Sequence, residues 1–468
     1  MVLGRLPTSR THSMHPTRRD LLGLLGTVGL STLAGCSGTT TDPQISVPTN
    51  ALTDEEIRVE LDGLESEASV VVRASAQSQN QQSNAKTGGQ WESRARFEVG
   101  DDGTLVVGEQ PPVEGTYEDA DPMGLFWSKR PADAKSDQQL PPEAIFAPGE
   151  ESYEVTLTAE VDGESVAEAT TARRLFDPEI EERAIDHGDL VGKLFLPPGS
   201  EPAPAILHLH GAGGKPHLAT ARLLASRGFA TLALQYFGDP DPIPDTLSEV
   251  PVEYAETAVE WLQEQNRVAG QKLGVFGFSR GGALALLLAS RNENLGAVVG
   301  WVPSGVVWEG LSYGRAPADT SAWSVGGEPV PFLELADADP GPPPAPSLPY
   351  YEPALSKASD DEIATAAIPV EDADASMYLV SVTDDQRWPS ARLSERVVER
   401  LDANSYSHKY RHDSHEGAGH YMRYPYLPTA GTSRNQYNVY GGSQEANARA
   451  NADAWHETLA FFDDALGE

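Results

Sequence analysis

The chain has 468 residues, 39% of them hydrophobic, enough for two folded regions each with its own core, and this excludes a disordered or fibrous protein. Its 70 acidic residues outnumber 34 basic ones, a formal charge of −36 that repels phosphate backbones and excludes nucleic acid as a partner. The acids are spread along the whole chain, the habit of a salt-adapted (halophilic) surface hydrated by carboxylates and screened by counter-ions rather than of a binding site.

Taken from the start, Thr17-Arg18-Arg19-Asp20-Leu21-Leu22 resembles a twin-arginine (Tat) export signal. The apolar run from Leu21 to Ala34 is too short to stay as a membrane span. It ends in Leu33-Ala34-Gly35-Cys36, which resembles a lipobox, where cleavage before the cysteine lets a lipid join its sulfur. Residues 1–35 are therefore expected to be an export signal. Cys36 is expected to anchor a lipoprotein to the outer face of the cytoplasmic membrane. Because Cys36 is the only cysteine, an intramolecular disulfide and a thiol nucleophile in the folded region are both excluded. Residues 36–50, rich in Ser, Thr and Pro, read as a tether.

Residues 51–176 carry short alternating runs, among them Ile57–Leu61, Ser69–Ala74 and Tyr153–Val161, separated by Gly, Asp and Pro turns. They predict a β-sandwich. From residue 177 to 468 the pattern changes to apolar strands alternating with helix-length segments, which predicts a mostly parallel sheet covered by helices. There Ala203–His210 is a buried-type strand running into Gly211-Ala212-Gly213-Gly214. A helix over 218–227, a strand over 230–234, a helix over 253–265 and a strand over 273–276 follow. Next comes Gly277-Phe278-Ser279-Arg280-Gly281-Gly282, opening an Ala/Leu-rich helix.

That context predicts a nucleophile elbow and an α/β-hydrolase domain, with Ser279 on a tight strand-to-helix turn. Such a turn needs Gly277 and Gly281, since side chains two before and two after the serine would collide across it. The fold then orders an acid and a histidine downstream. The strand 377–382 ends in Thr383-Asp384-Asp385, and His420 follows in Gly417-Ala418-Gly419-His420. Asp385 is favoured over Asp384 because it stands closer to the following Gln386-Arg387-Trp388-Pro389-Ser390. His412, His415 and His420 match no metal-ligand spacing, so neither a metal nor another cofactor is expected. His208 and His210 are expected to stack within their strand and orient the glycine turn. The Pro-rich acidic stretch 312–370, with Trp323, Phe332, Tyr350 and Tyr351, is a candidate cap over the pocket, with a solvated loop as the alternative.

Several of these segments resemble the acyl-CoA thioesterase and bile-acid-CoA:amino-acid N-acyltransferase (BAAT) family. They are Leu223–Leu234, Pro303–Trp308, Asp384–Ser390, Gly417–His420 and Pro425–Thr429, and upstream Trp91–Ala95, Gly115–Tyr117 and Asp121–Ser128. The likeness covers about residues 50 to 465. It implies an immunoglobulin-like N-terminal domain, a nucleophile at Ser279, an acid at Asp385 and a base at His420, acting on acyl thioesters of coenzyme A in fatty acid metabolism. Members that transfer the acyl group to amino acids tend to carry cysteine at the nucleophile position. Serine here points to hydrolysis. An acyl-serine would form and be released by water, with the N–H groups of Arg280 and of Ala212 or Gly213 as the oxyanion hole. A carboxylesterase or peptidase on the same scaffold, and a surface-binding lipoprotein without activity, are the other readings.

Overall fold

The computed structural model describes residues 42–79, 89–135, 138–142 and 144–467, all within one compact unit. The expected signal and Cys36 lie outside the described residues.

In the N-terminal region, alternation sets the sheet. Along Ser69–Gln77 every second residue, Val70, Val72, Ala74 and Ala76, is buried. This strand pairs antiparallel with Gln90–Glu98 on one side and Ser152–Val161 on the other, inside a seven-stranded sheet. Gln44–Ser46, Glu60–Asp62 and Leu105–Val106 make a second, three-stranded sheet.

The structure departs from the sequence pattern at two places in this region. The run Ile57–Leu61 keeps Ile57, Val59 and Leu61 buried, yet only Glu60–Asp62 is a paired strand. Its alternation reports a buried face without a ladder beneath it. The stretch read as a tether contains the strand Gln44–Ser46, paired antiparallel with Glu60–Asp62, so the folded chain starts before residue 50. Three residues with one apolar side chain, Ile45, carry no periodic signal, and the partner strand that creates the element is remote in sequence.

The C-terminal region is built on an eight-stranded sheet. Across it the order is Glu181–Ala184, Val191–Leu196, Ala230–Gln235, Ala205–Leu209, Leu273–Phe278, Leu295–Trp301, Ser376–Val382 and Tyr410–His415. The first three pair antiparallel and the rest parallel. Ala205–Leu209 and Ala230–Gln235 are buried at every residue, as strands with both faces covered must be. The helices Leu218–Ser226, Val252–Gln263, Arg280–Ala289, Ser390–Ala403 and Gln444–Leu466 cover the sheet.

The two regions do not keep separate cores. Residues of the N-terminal sheet such as Val72, Phe97 and Leu157 belong to one continuous apolar cluster with Trp301, Tyr378 and Trp455. Buried Asp54 fixes the junction: its carboxylate accepts from Arg227 Nε and Trp455 Nε1, each at 2.8 Å. The predicted helices and central strands otherwise stand within a few residues of their expected places, the helix over 253–265 being Val252–Gln263.

Candidate active site

The strand Leu273–Phe278 delivers Ser279 into a turn with φ 56° and ψ −119°, and the helix Arg280–Ala289 starts at the next residue. A non-glycine residue in that region is strained, and the Ser279 N–H bond to the Trp301 carbonyl at 2.8 Å helps to hold it, with Gly277 and Gly281 leaving room for the turn. A Cβ at Gly277 would run into the backbone of Gly281, as the sequence predicts. At Gly281 the obstacle differs from the expected one: the clash is with the carbonyls of Leu209 and His210 on the adjacent strand. The second glycine therefore serves helix-to-strand packing. A Cβ at Gly211 would lie 3.2 Å from that of Ser279, so the glycine turn passes directly beside the serine.

Ser279, Asp385 and His420 come together. His420 Nε2 lies 2.8 Å from Ser279 Oγ, and His420 Nδ1 lies 2.8 Å from Asp385 Oδ2. All three side chains are buried. The other oxygen of Asp385 accepts the N–H groups of Arg387 at 2.8 Å and Trp388 at 3.2 Å, which fixes the carboxylate plane. Asp384 points elsewhere, accepting from Gln386 Nε2 at 2.7 Å and from the N–H of Gly442 at 2.8 Å. The imidazole packs against Phe278 and edge-on to Trp388.

Arg280 N–H is the first of its helix, where the helix dipole and unbonded amides favour negative charge. Ala212 and Gly213 line the same cavity as Ser279, Arg280 and His420. The glycine turn is held from behind by residues that carry no motif. Gln235 Nε2 donates to the carbonyls of Gly214 at 2.9 Å and Asp239 at 2.8 Å, and the Tyr236 hydroxyl donates to the His210 carbonyl. His210 stacks on Tyr236 with centroids 4.1 Å apart, and His208 meets Phe276 edge-on at 5.1 Å. Burial pushes the His210 pKa down to about 3 and that of His208 well below the ordinary range, so both rings are neutral at pH 7.

The histidine loop has its own unpredicted support. His420 N–H donates to the Tyr440 carbonyl at 2.9 Å, and Gly419 N–H to Asn447 Oδ1 at 2.8 Å. Gly441, at φ 84°, sits where a Cβ would collide with the Asp384 carbonyl. The only sequence signal for this clamp was Gly441-Gly442 ahead of the helix cap Ser443.

The stretch 312–370 folds into short strands and the helices Leu348–Lys357 and Asp360–Ala366. Tyr350 and Tyr351 line the cavity, whereas Trp323 packs into the main core against Tyr236 and Phe332 lies against the same core. His412 bonds Ser381 Oγ through Nε2 at 2.7 Å, and among the described residues no group of three or more His, Cys, Asp or Glu is placed to hold a metal ion.

Residues 54–187 match the family described as Acyl-CoA thioester hydrolase/BAAT N-terminal region, and residues 250–468 match BAAT / Acyl-CoA thioester hydrolase C terminal. The mouse (Mus musculus) acyl-coenzyme A thioesterase 2, mitochondrial, is 28% identical over 419 residues, covering 88% of this chain and 87% of its own. The mouse peroxisomal succinyl-coenzyme A thioesterase is 27% identical over 422 residues, covering 88% and 94%. A solved puromycin-hydrolyzing peptidase of Mycobacterium tuberculosis is 12% identical with a TM-score of 0.41, covering 89% of this chain and 66% of its own. On the two matched regions, which together span most of its length, the chain belongs to the acyl-CoA thioesterase and bile-acid-CoA:amino-acid N-acyltransferase family.

Proposed function

We propose that this protein is a serine hydrolase that cleaves acyl thioesters of the coenzyme A type through an acyl-serine intermediate. The observation that carries this reading is the hydrogen-bonded line Asp385–His420–Ser279 at the head of a helix, in a chain of this family. His420 Nε2 takes the Ser279 proton as Oγ attacks the acyl carbonyl, and returns it to the departing thiol. Asp385 holds Nδ1–H and steadies the imidazolium. The negative oxygen of the tetrahedral intermediate is received by Arg280 N–H and by an N–H of Ala212 or Gly213. Water, activated by the same imidazole, then releases the acid. Serine as nucleophile supports hydrolysis over transfer to an amino acid.

We further propose export with anchoring through a lipid on Cys36. That address supports a second reading, an extracytoplasmic carboxylesterase, because coenzyme A is a cytosolic carrier. Acyl-CoA esters of several chain lengths assayed beside p-nitrophenyl esters of the same acids separate the two. Higher kcat/KM on the thioesters is expected, and turnover of the aryl esters alone would reject the thioester reading. Cys36→Ser protein should appear in the medium with unchanged specific activity, and its retention in membranes would reject the anchor.

A further inference from the structure

Beside the Ser279 cavity, and sharing His217, Phe278 and Tyr421 with it, lies a second cavity of about 340 Å³ at the junction of the two regions. That volume falls within the usual range for small-molecule sites of about 300–1,000 Å³. Phe146 reaches it from the N-terminal region, Leu218 from a covering helix, Phe276 and Trp301 from the central sheet, and Met422 from the loop after His420. Its wall is therefore mainly hydrocarbon and aromatic. It holds one permanently charged residue, Arg423, and no Asp or Glu. Arg423 differs from arginines such as Arg227, Arg400 and Arg411, which take the carboxylates of Asp54, Glu371 and Glu457. Its backbone N–H donates to Asn451 Oδ1 at 3.0 Å, while its side chain is partly exposed and makes no hydrogen bond or ion pair among the described residues. The Arg423 charge acts on the hydroxyl of Tyr424, which lines the same cavity; burial pushes the pKa of that hydroxyl up to about 12, so it stays a donor at pH 7.

A single cation on an apolar cavity selects a ligand with a hydrocarbon body and one anionic end. A bare inorganic anion would leave the apolar wall uncovered, and a neutral chain would leave the guanidinium without a counter-charge. We propose that this junction cavity binds the anion of a free medium-chain fatty acid, its carboxylate on the Arg423 guanidinium and its chain against Phe276, Phe278 and Trp301. The source of the acid rests on the hydrolase reading above, under which it is the product released at Ser279, on the other side of His217, Phe278 and Tyr421. The binding itself is independent of that reading. The opposing possibility is that the cavity takes only the uncharged chain of a bound acyl group, which needs no charge at Arg423.

Calorimetry on the full chain tests this, with octanoate, octanol and octylammonium as the probes, in the wild type, Arg423→Met, Arg423→Lys and Ala219→Phe. A charge-assisted pair predicts that Arg423→Met weakens octanoate about 10- to 100-fold, and Arg423→Lys less, while octanol is little changed. Ala219 lines the cavity, so the ring of Ala219→Phe should fill it and weaken octanoate and octanol together. If the variants do not fold, the wild type still decides through the sign of the charge. Octanoate should bind at least about 10-fold more tightly than octylammonium, against the net charge of −36. No binding of octanoate to the wild type, octylammonium bound as tightly as octanoate, or octanoate and octanol weakened alike by Arg423→Met would overturn the proposal. Octanoate binding that survives Arg423→Met, or that survives Ala219→Phe and so belongs to the Ser279 cavity, would also overturn it. Acyl-CoA hydrolysis without octanoate binding would reject this site and keep the hydrolase reading; octanoate binding in the expected pattern without hydrolysis would do the reverse.

Discussion

His420 Nδ1 meets Asp385 Oδ2 at 2.8 Å, while Asp384, one residue earlier, turns to the N–H of Gly442. The two neighbouring carboxylates therefore have different tasks, and substitution should separate them. Asp385→Asn should lower kcat by about 10⁴ by favouring the wrong imidazole tautomer. Asp384→Asn keeps an oxygen for one of its two bonds, and should cost about 1 kcal/mol of stability with less than about tenfold in kcat. Steady-state kinetics with denaturation midpoints checks both, and the opposite order would make Asp384 the acid.

If Ser279 and His420 act as proposed, they should fail as one. Ser279→Ala and His420→Ala should each lower kcat by about 10⁶, and the double variant scarcely more. Losses that multiply in the double variant would mean that the two residues act separately.

Asp54 ties the N-terminal region to the helices of the C-terminal region through Arg227 and Trp455. Replacing a buried, paired carboxylate strands its partners, so Asp54→Ala should cost about 3 kcal/mol. Because the core is continuous across the junction, the wild type should melt in a single calorimetric transition. Two well-separated transitions would show that the regions are independent.

His208 and His210 make the fold sensitive to acid. Both are buried and neutral, with the His210 pKa at about 3 and that of His208 well below its ordinary value. In the unfolded chain both titrate near pH 6.5. Below that point the unfolded chain binds more protons, so stability falls with pH, by about 1.4 kcal/mol per pH unit for each ring. The loss continues until pH reaches the folded pKa. Urea titrations between pH 6 and 5 should show the wild-type slope reduced by one ring's share in His208→Gln. An unchanged slope would place the proton uptake elsewhere.

What could be read from the sequence, and what could not, follows from how local each cause is. The elbow was legible because Gly277 and Gly281 flank Ser279 within one turn, although the reason for Gly281 is the neighbouring strand. The places of Asp385 and His420 followed from the order of strand ends and loops. Gln235, Tyr236, Tyr440 and Asn447 were not legible, since each supports the site through one hydrogen bond to a segment remote in sequence. Trp323 shows the converse: proximity in sequence groups it with the cap aromatics, yet the fold turns it into the core beside Tyr236. The strand Gln44–Ser46 has the composition of a tether, and its pairing, not its composition, makes it a strand.

Ser279 is proposed as the nucleophile for thioester cleavage. A fluorophosphonate probe followed by peptide mass spectrometry tests it most directly, with residual acyl-CoA hydrolysis measured on the same sample. A single adduct on Ser279 is expected, with thioester hydrolysis lost in proportion to labelling. An unlabelled Ser279, or thioester hydrolysis that persists in fully labelled protein, would contradict it.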